Sequence, residues 1–129
     1  MTHRAVLDAS ALLALVLAES GESVVRARGE NGLISAVNYS ETLAKLAERG
    51  FDDVLGQRML DLLDLEIVPF DQEQALAAAR WRAKTRALGL SFADRACLAL
   101  AKTRSVSVLT ADRQWQTLHP DIEIVLIRD

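Results

Sequence analysis

Apolar residues along this chain fall into short continuous runs that alternate with longer stretches of helical period. Arg4–Asp8 reads as a strand, because Ala5, Val6 and Leu7 are continuously apolar, as in a strand covered on both faces. Ser10–Ala18 reads as a helix with Ser10 as its cap, and Glu22–Gly29 as a second helical piece. Gly32–Ala36 reads as a strand, followed by a helix from Val37 to Arg49 that stops at Gly50. Asp52–Asp64 carries Val54, Leu55, Met59, Leu62 and Leu63 at helical spacing. Leu65–Phe70 is a strand, and Asp71–Leu88 a long helix ended by Gly89. Ala75, Ala79, Ala83 and Ala87 recur along that helix and predict a stripe against which another helix packs closely. Phe92–Thr103 is a nearly all-apolar helix. Val106–Leu109 is a strand, Asp112–Thr117 a helical turn, and Ile122–Ile127 a final strand.

Strands alternating with helices predict an α/β fold with a mostly parallel sheet covered by helices on both faces. In such sheets ligands gather at the carboxyl ends of the strands. The length, 129 residues, fits one domain over residues 1–129. Hydrophobic residues make up 50% and charged residues 26%, which excludes a disordered chain. No apolar run approaches the ~18 residues of a membrane helix. No secretory signal is visible, so a cytoplasmic location is the expectation. The single cysteine, Cys97, excludes an internal disulfide and a Cys-based zinc cage. Fifteen basic and eighteen acidic residues give a net charge of −3, so a broad basic face is not the character of the molecule.

Four acids sit where the topology places chemistry. Asp8 ends the first strand, and Glu41 lies early in the helix after the second. Asp94 lies in the first turn of the most apolar helix, and Asp112 just past the fourth strand. In a parallel sheet these positions share one edge, although they span about a hundred residues. Each acid also has an ordinary structural reading. Asn38 with Glu41, and Ser91 with Asp94, have capping-box spacing. Asp112 suits an N-cap and Asp8 a strand-end turn, while Glu41 and Lys45 form an i,i+4 ion pair. Two features weigh the other way. Asp94 shares a helical face with Leu90, Cys97, Leu98 and Ala101, where an unpartnered carboxylate is costly. Hydroxyls accompany the acids: Ser10 beside Asp8, Ser91 before Asp94 and Thr110 before Asp112. Carboxylates with hydroxyls form a hard-oxygen environment suited to Mg²⁺ or Mn²⁺. His3 and His119 stand apart from the acids and read as surface or turn residues.

The segments VLDASALLAL, ISAVNYSETLAKL, LSFADRACLALA and VLTADRQW together resemble the acidic motifs of PIN-domain ribonucleases, most closely the small VapC-type toxins of bacterial toxin–antitoxin pairs. The resemblance covers nearly the whole chain. It implies a PIN-like three-layer sandwich with a central sheet of about four to five strands between helices. It also implies that Asp8, Glu41, Asp94 and Asp112 are catalytic and bind Mg²⁺ or Mn²⁺, with Ser10 and Thr110 in support. The implied reaction is hydrolysis of transfer or ribosomal RNA by a metal-activated water. An antitoxin lying over the apolar helices and a homodimer are the implied partners. Trp115 stands where the family has an aromatic, and reads as core packing.

An acidic site must still attract a polyanion. Arg95 and Arg113, each next to one of the acids, are the candidate phosphate contacts, since arginine binds phosphate bidentately. The Arg80, Arg82, Lys84 and Arg86 helix is the other basic candidate, read equally as a solvated face. Two other functions remain open on the sequence. One is a non-catalytic PIN-like binding module. The other is a phosphotransfer α/β domain, which lacks its second acid at Ser10 and any lysine after a strand.

Overall fold

The computed structural model describes residues 4–118 and 121–129, so both histidine expectations lie outside the described residues. Five strands, β1 (Ala5–Leu7), β2 (Leu33–Ser35), β3 (Glu66–Val68), β4 (Ser107–Thr110) and β5 (Ile124–Leu126), form one sheet in the order β3-β2-β1-β4-β5. Every pairing is parallel. Val6 stands opposite both Leu33 and Val108, and Leu109 opposite Val125. The chain thus lays β2 and β3 to one side of β1 and then returns to add β4 and β5 on the other. The change of direction falls between β1 and β4, where parallel sheets open a crevice at their carboxyl ends.

Six helices cover the sheet: α1 (Ala9–Val16), α2 (Glu22–Arg28), α3 (Ala36–Glu48), α4 (Asp53–Asp61), α5 (Gln72–Thr85) and α6 (Phe92–Arg104). Strand side chains alternate between faces, so each strand feeds two cores. Val6, Leu33 and Val108 point to one core with Trp81, Trp115 and the buried run Cys97–Ala101. Ala5, Leu7, Ile34 and Leu109 point to the other with Leu12, Val25, Leu46 and Leu60. Burial on both faces accounts for the unbroken apolar runs of β1. Gly32 lets β2 enter beside β1; a Cβ there would lie 2.7 Å from Leu7 Cδ1 and 2.9 Å from the Ala5 carbonyl oxygen. No helix among the described residues is long and apolar enough to cross a membrane.

Each expected element is present, but four local readings are corrected. Ser10 does not cap α1; Asp8 does, accepting from Ala11 N. Asn38 and Glu41 form no capping box, because α3 begins at Ala36 with Ser35 as its cap, which leaves Asn38 already within the first helical turn. The alanine stripe of α5 faces solvent. The buried side of that helix is Gln74, Ala78, Trp81 and Thr85, since burying the Trp81 ring removes far more apolar surface than burying four methyl groups. Helix α5 also ends earlier than expected, and Arg86–Leu88 continues as a single 3₁₀ turn before Gly89 turns the chain at φ +64°.

Candidate active site

Strand β1 delivers Asp8 to the carboxyl edge of the sheet, next to the end of β4. Asp8 is buried, and both of its oxygens are held. Ser10 Oγ and Ala11 N donate to Oδ1 at 2.6 and 2.8 Å, and Thr110 Oγ1 donates to Oδ2 at 2.5 Å. The two hydroxyls are fixed in turn by the chain leaving β4. Ala111 N donates to Ser10 Oγ at 2.9 Å, and Asp112 N donates to Thr110 Oγ1 at 3.0 Å. A closed set of hydrogen bonds therefore ties the first acid to the backbone of the last across the β1–β4 crevice.

The other three acids arrive on helix beginnings and a helix face. Asp94 and Ser91 form the capping box read from the sequence: Ser91 N donates to Asp94 Oδ2, and Asp94 N to Ser91 Oγ. Asp112 caps the 3₁₀ turn Arg113–Thr117 through Oδ1, which accepts from Gln114 N at 2.9 Å. Glu41 projects from α3, with Lys45 Nζ 3.9 Å from its Oε2. The position of α3 against α6 is set by Asn38, whose buried Nδ2 donates to the Ala93 carbonyl, one residue before Asp94. The structural readings of Asp94 and Asp112 are thus correct, yet capping does not scatter the acids. Asp8, Glu41, Asp94 and Asp112 all line one open pocket of about 290 Å³, together with Ala9, Ser10, Lys45 and Ala111.

The electrostatics follow from that crowding. Burial pushes the Asp8 carboxyl up from 3.8 to about 6. Its three hydrogen bonds oppose the rise, and the charge of Asp94 adds to it. Cys97 lies beneath the site, and its thiol is pushed well up, first by burial and then by the negative charge of Asp8, Asp94 and Glu41. Among the described residues, no three His, Cys, Asp or Glu side chains are drawn together closely enough to hold one ion. The carboxylates line the walls of the pocket.

The two arginines singled out from sequence do not line this pocket. Arg95 turns toward α5, where Nη1 donates to the Ala78 carbonyl at 3.3 Å and the guanidinium lies over the Phe92 ring. Arg113 is exposed on the 3₁₀ turn. The cation that does line the pocket is Lys45, which sequence reasoning treated only as a salt-bridge partner. Its place four residues after Glu41, on the same helical face, was the available signal. Trp115 is fully buried in the core.

Comparison with known proteins agrees with this architecture. Ribonuclease VapC42 of Mycobacterium tuberculosis is 34% identical over 80 residues; the match spans 58% of this chain and 61% of that relative. A toxin–antitoxin complex from Klebsiella pneumoniae contains a chain that superposes with a TM-score of 0.78 at 18% identity, over 97% of this chain and 98% of that one. VapC20 of M. tuberculosis, described as a sarcin-ricin-loop-cleaving toxin, gives a TM-score of 0.70 at 15% identity, over 86% of this chain and 92% of that one. The family model "PIN domain" matches residues 5–119, from the first strand through the fourth acidic segment. The chain belongs to the PIN-domain family.

Proposed function

We propose that this protein is a metal-dependent endoribonuclease, the toxin of a type II toxin–antitoxin pair. The observation that carries the reading is the meeting of Asp8, Glu41, Asp94 and Asp112, drawn from four separate elements, in one pocket at the carboxyl edge of the sheet. The ribonuclease names of its relatives support it. So does the chemistry of the donors. Four carboxylates and two hydroxyls make an oxygen-only set that suits Mg²⁺ or Mn²⁺. Burial raises the Asp8 carboxyl and the charge of Asp94 adds to the rise, so a cation seated beside it would favour the ionised form. Asp8, Glu41, Asp94 and Asp112 would hold the ion. A bound divalent ion supplies charge that activates water and offsets the phosphate.

The chain's own contribution is orientation and water access. Ser10, Ala11 and Thr110 fix Asp8, so the deepest carboxylate needs no reorganisation when substrate arrives. Asp94 and Asp112 cap through one oxygen each. The pocket is open to solvent, which admits a polymer without threading its end, as internal cleavage requires. With Asp8 titrating near 6, this carboxyl is mostly ionised only above that pH when no cation is present.

The proposal extends to an antitoxin. Helix α4 leaves Val54 and Leu55 exposed, and Leu62, its C-cap, is exposed to 85%. Beside it a cavity of about 280 Å³ is lined by Leu12, Ile34, Tyr39, Leu60, Leu65 and Ile67, with Asp61 and Asp64 also on its wall. An apolar partner segment would cover both. A homodimer and transfer or ribosomal RNA as substrate complete the reading. The test is digestion of total cellular RNA with end mapping, with Mg²⁺ or Mn²⁺ and with chelator. Discrete cuts that vanish with chelator and fall at least 100-fold in Asp8→Asn and Asp94→Asn are expected, on the order of the effect of lost transition-state electrostatics. Binding without cutting in the native chain would favour the non-catalytic module instead.

A further inference from the structure

The acidic pocket does not end at Ser10 and Lys45. These two residues also line a second open pocket of about 320 Å³, whose other walls are Leu13, Glu19, Glu48, Arg49 and Arg128. The two adjoin at Ser10 and Lys45, and the excess of carboxylates in the first is absent from the second. The first is lined by four carboxylates and Lys45, the second by the same lysine, Arg49 and Arg128 with Glu19 and Glu48. Helix α3 builds the gradient. Glu41, Lys45 and Arg49 recur every four residues and share a face, stepping roughly 6 Å per interval along the axis. That step is close to the distance between neighbouring phosphates of an extended strand. The cations are half-exposed, and neither arginine is locked in the interior. Arg49 Nη1 pairs with Glu19 Oε2 at 3.0 Å, and Arg128 Nη1 donates to the Ser20 carbonyl at 2.8 Å.

We propose that this second pocket is the subsite for the RNA backbone flanking the scissile bond. Lys45, Arg49 and Arg128 would receive the phosphodiesters next to the one lying among the acids. The inference rests on the ribonuclease reading and gives it a direction: the strand leaves the acidic pocket over Ser10 and Lys45 and runs along α3. A phosphate arriving here exchanges with Glu19 for Arg49, so the pair holds the guanidinium in place without occupying it permanently. It also resolves how a protein of net charge −3 with an acidic centre holds a polyanion, since the attraction is local and lies beside the centre.

The experiment measures binding of a fluorescent single-stranded RNA dodecamer to the full chain carrying Asp8→Asn, with Mg²⁺, over a range of salt. Each phosphate contact contributes about 0.7 to the slope of log affinity against log salt for a single strand. Arg49→Gln with Arg128→Gln should reduce the slope by about 1.4 and weaken binding roughly 25-fold at 0.1 M salt. Arg49→Lys with Arg128→Lys should restore the slope, which a loss of folding would not allow. Arg82→Gln with Lys84→Gln, on the exposed side of α5, should leave it unchanged. In the chain with native Asp8, the glutamine pair should raise KM and leave kcat within about threefold, the mark of uniform binding. An unchanged slope and KM in the glutamine pair, with cleavage intact in the parent, would overturn the subsite alone. A loss of slope confined to the α5 pair would move the RNA to that helix. No binding or cleavage of any RNA by the parent would remove the ribonuclease reading itself.

Discussion

Asp8 is the residue on which opposing demands meet. Its three donors favour the charged form, but burial outweighs them and leaves the carboxyl titrating near 6 instead of 3.8. A folded-state value above the unfolded one favours folding while the group is protonated. That contribution is complete below about pH 4 and is lost as pH rises through 6. Asp8→Asn should therefore stabilise the metal-free protein at pH 7, by at most about 3 kcal/mol. The gain should shrink toward pH 4, as thermal melts across that range would show. Thr110→Val removes both the donor to Asp8 Oδ2 and the acceptor for Asp112 N in a fully buried place. It should cost about 1–3 kcal/mol in chemical denaturation. The sequence set Ser10 and Thr110 beside the acids, and the structure bonds both to Asp8, but Ser10 was misread as a cap. Local spacing cannot show that its oxygen is claimed by Ala111, far along the chain.

Helix α5 carries the lesson at the scale of elements. Its four alanines offered the regular pattern, and a single tryptophan set the rotation. The consequence is measurable. Ala79→Glu and Ala83→Lys sit on the exposed side and should change stability by no more than about 0.5 kcal/mol. Ala78→Leu, on the buried side, should cost about 1–3 kcal/mol by overpacking against α6. Equal effects at the three positions would mean that the helix is turned otherwise. The same limit explains Asn38. Its spacing to Glu41 fits a capping box, but the cap was already supplied by Ser35 at the end of β2. Asn38 is free to cross to α6 and hold the Ala93 carbonyl, a tertiary contact without any local signal. Strand runs and the capping box at Ser91 were legible because their physics is local.

For the whole molecule, strand alternation predicted the parallel sheet, and the sheet predicted where acids would gather. What the sequence left open was how much of each apolar helix the fold itself covers. Helix α1 is largely buried, whereas α4 buries Gly56 and Leu60 and leaves Val54, Leu55 and Leu62 outside. Leu62→Glu should leave the stability of the free protein within about 0.5 kcal/mol. In the proposed pair it should weaken antitoxin binding at least tenfold by calorimetry, as loss of an apolar anchor does. The bond from Thr110 to Asp8 joins residues that the ribosome makes about a hundred codons apart. At roughly 5–20 residues per second, the first acid waits on the order of five to twenty seconds for its partner to be synthesised. Any centre built on that clasp stays unassembled until β4 has been synthesised, and a nascent chain that lacks β4 cannot form it.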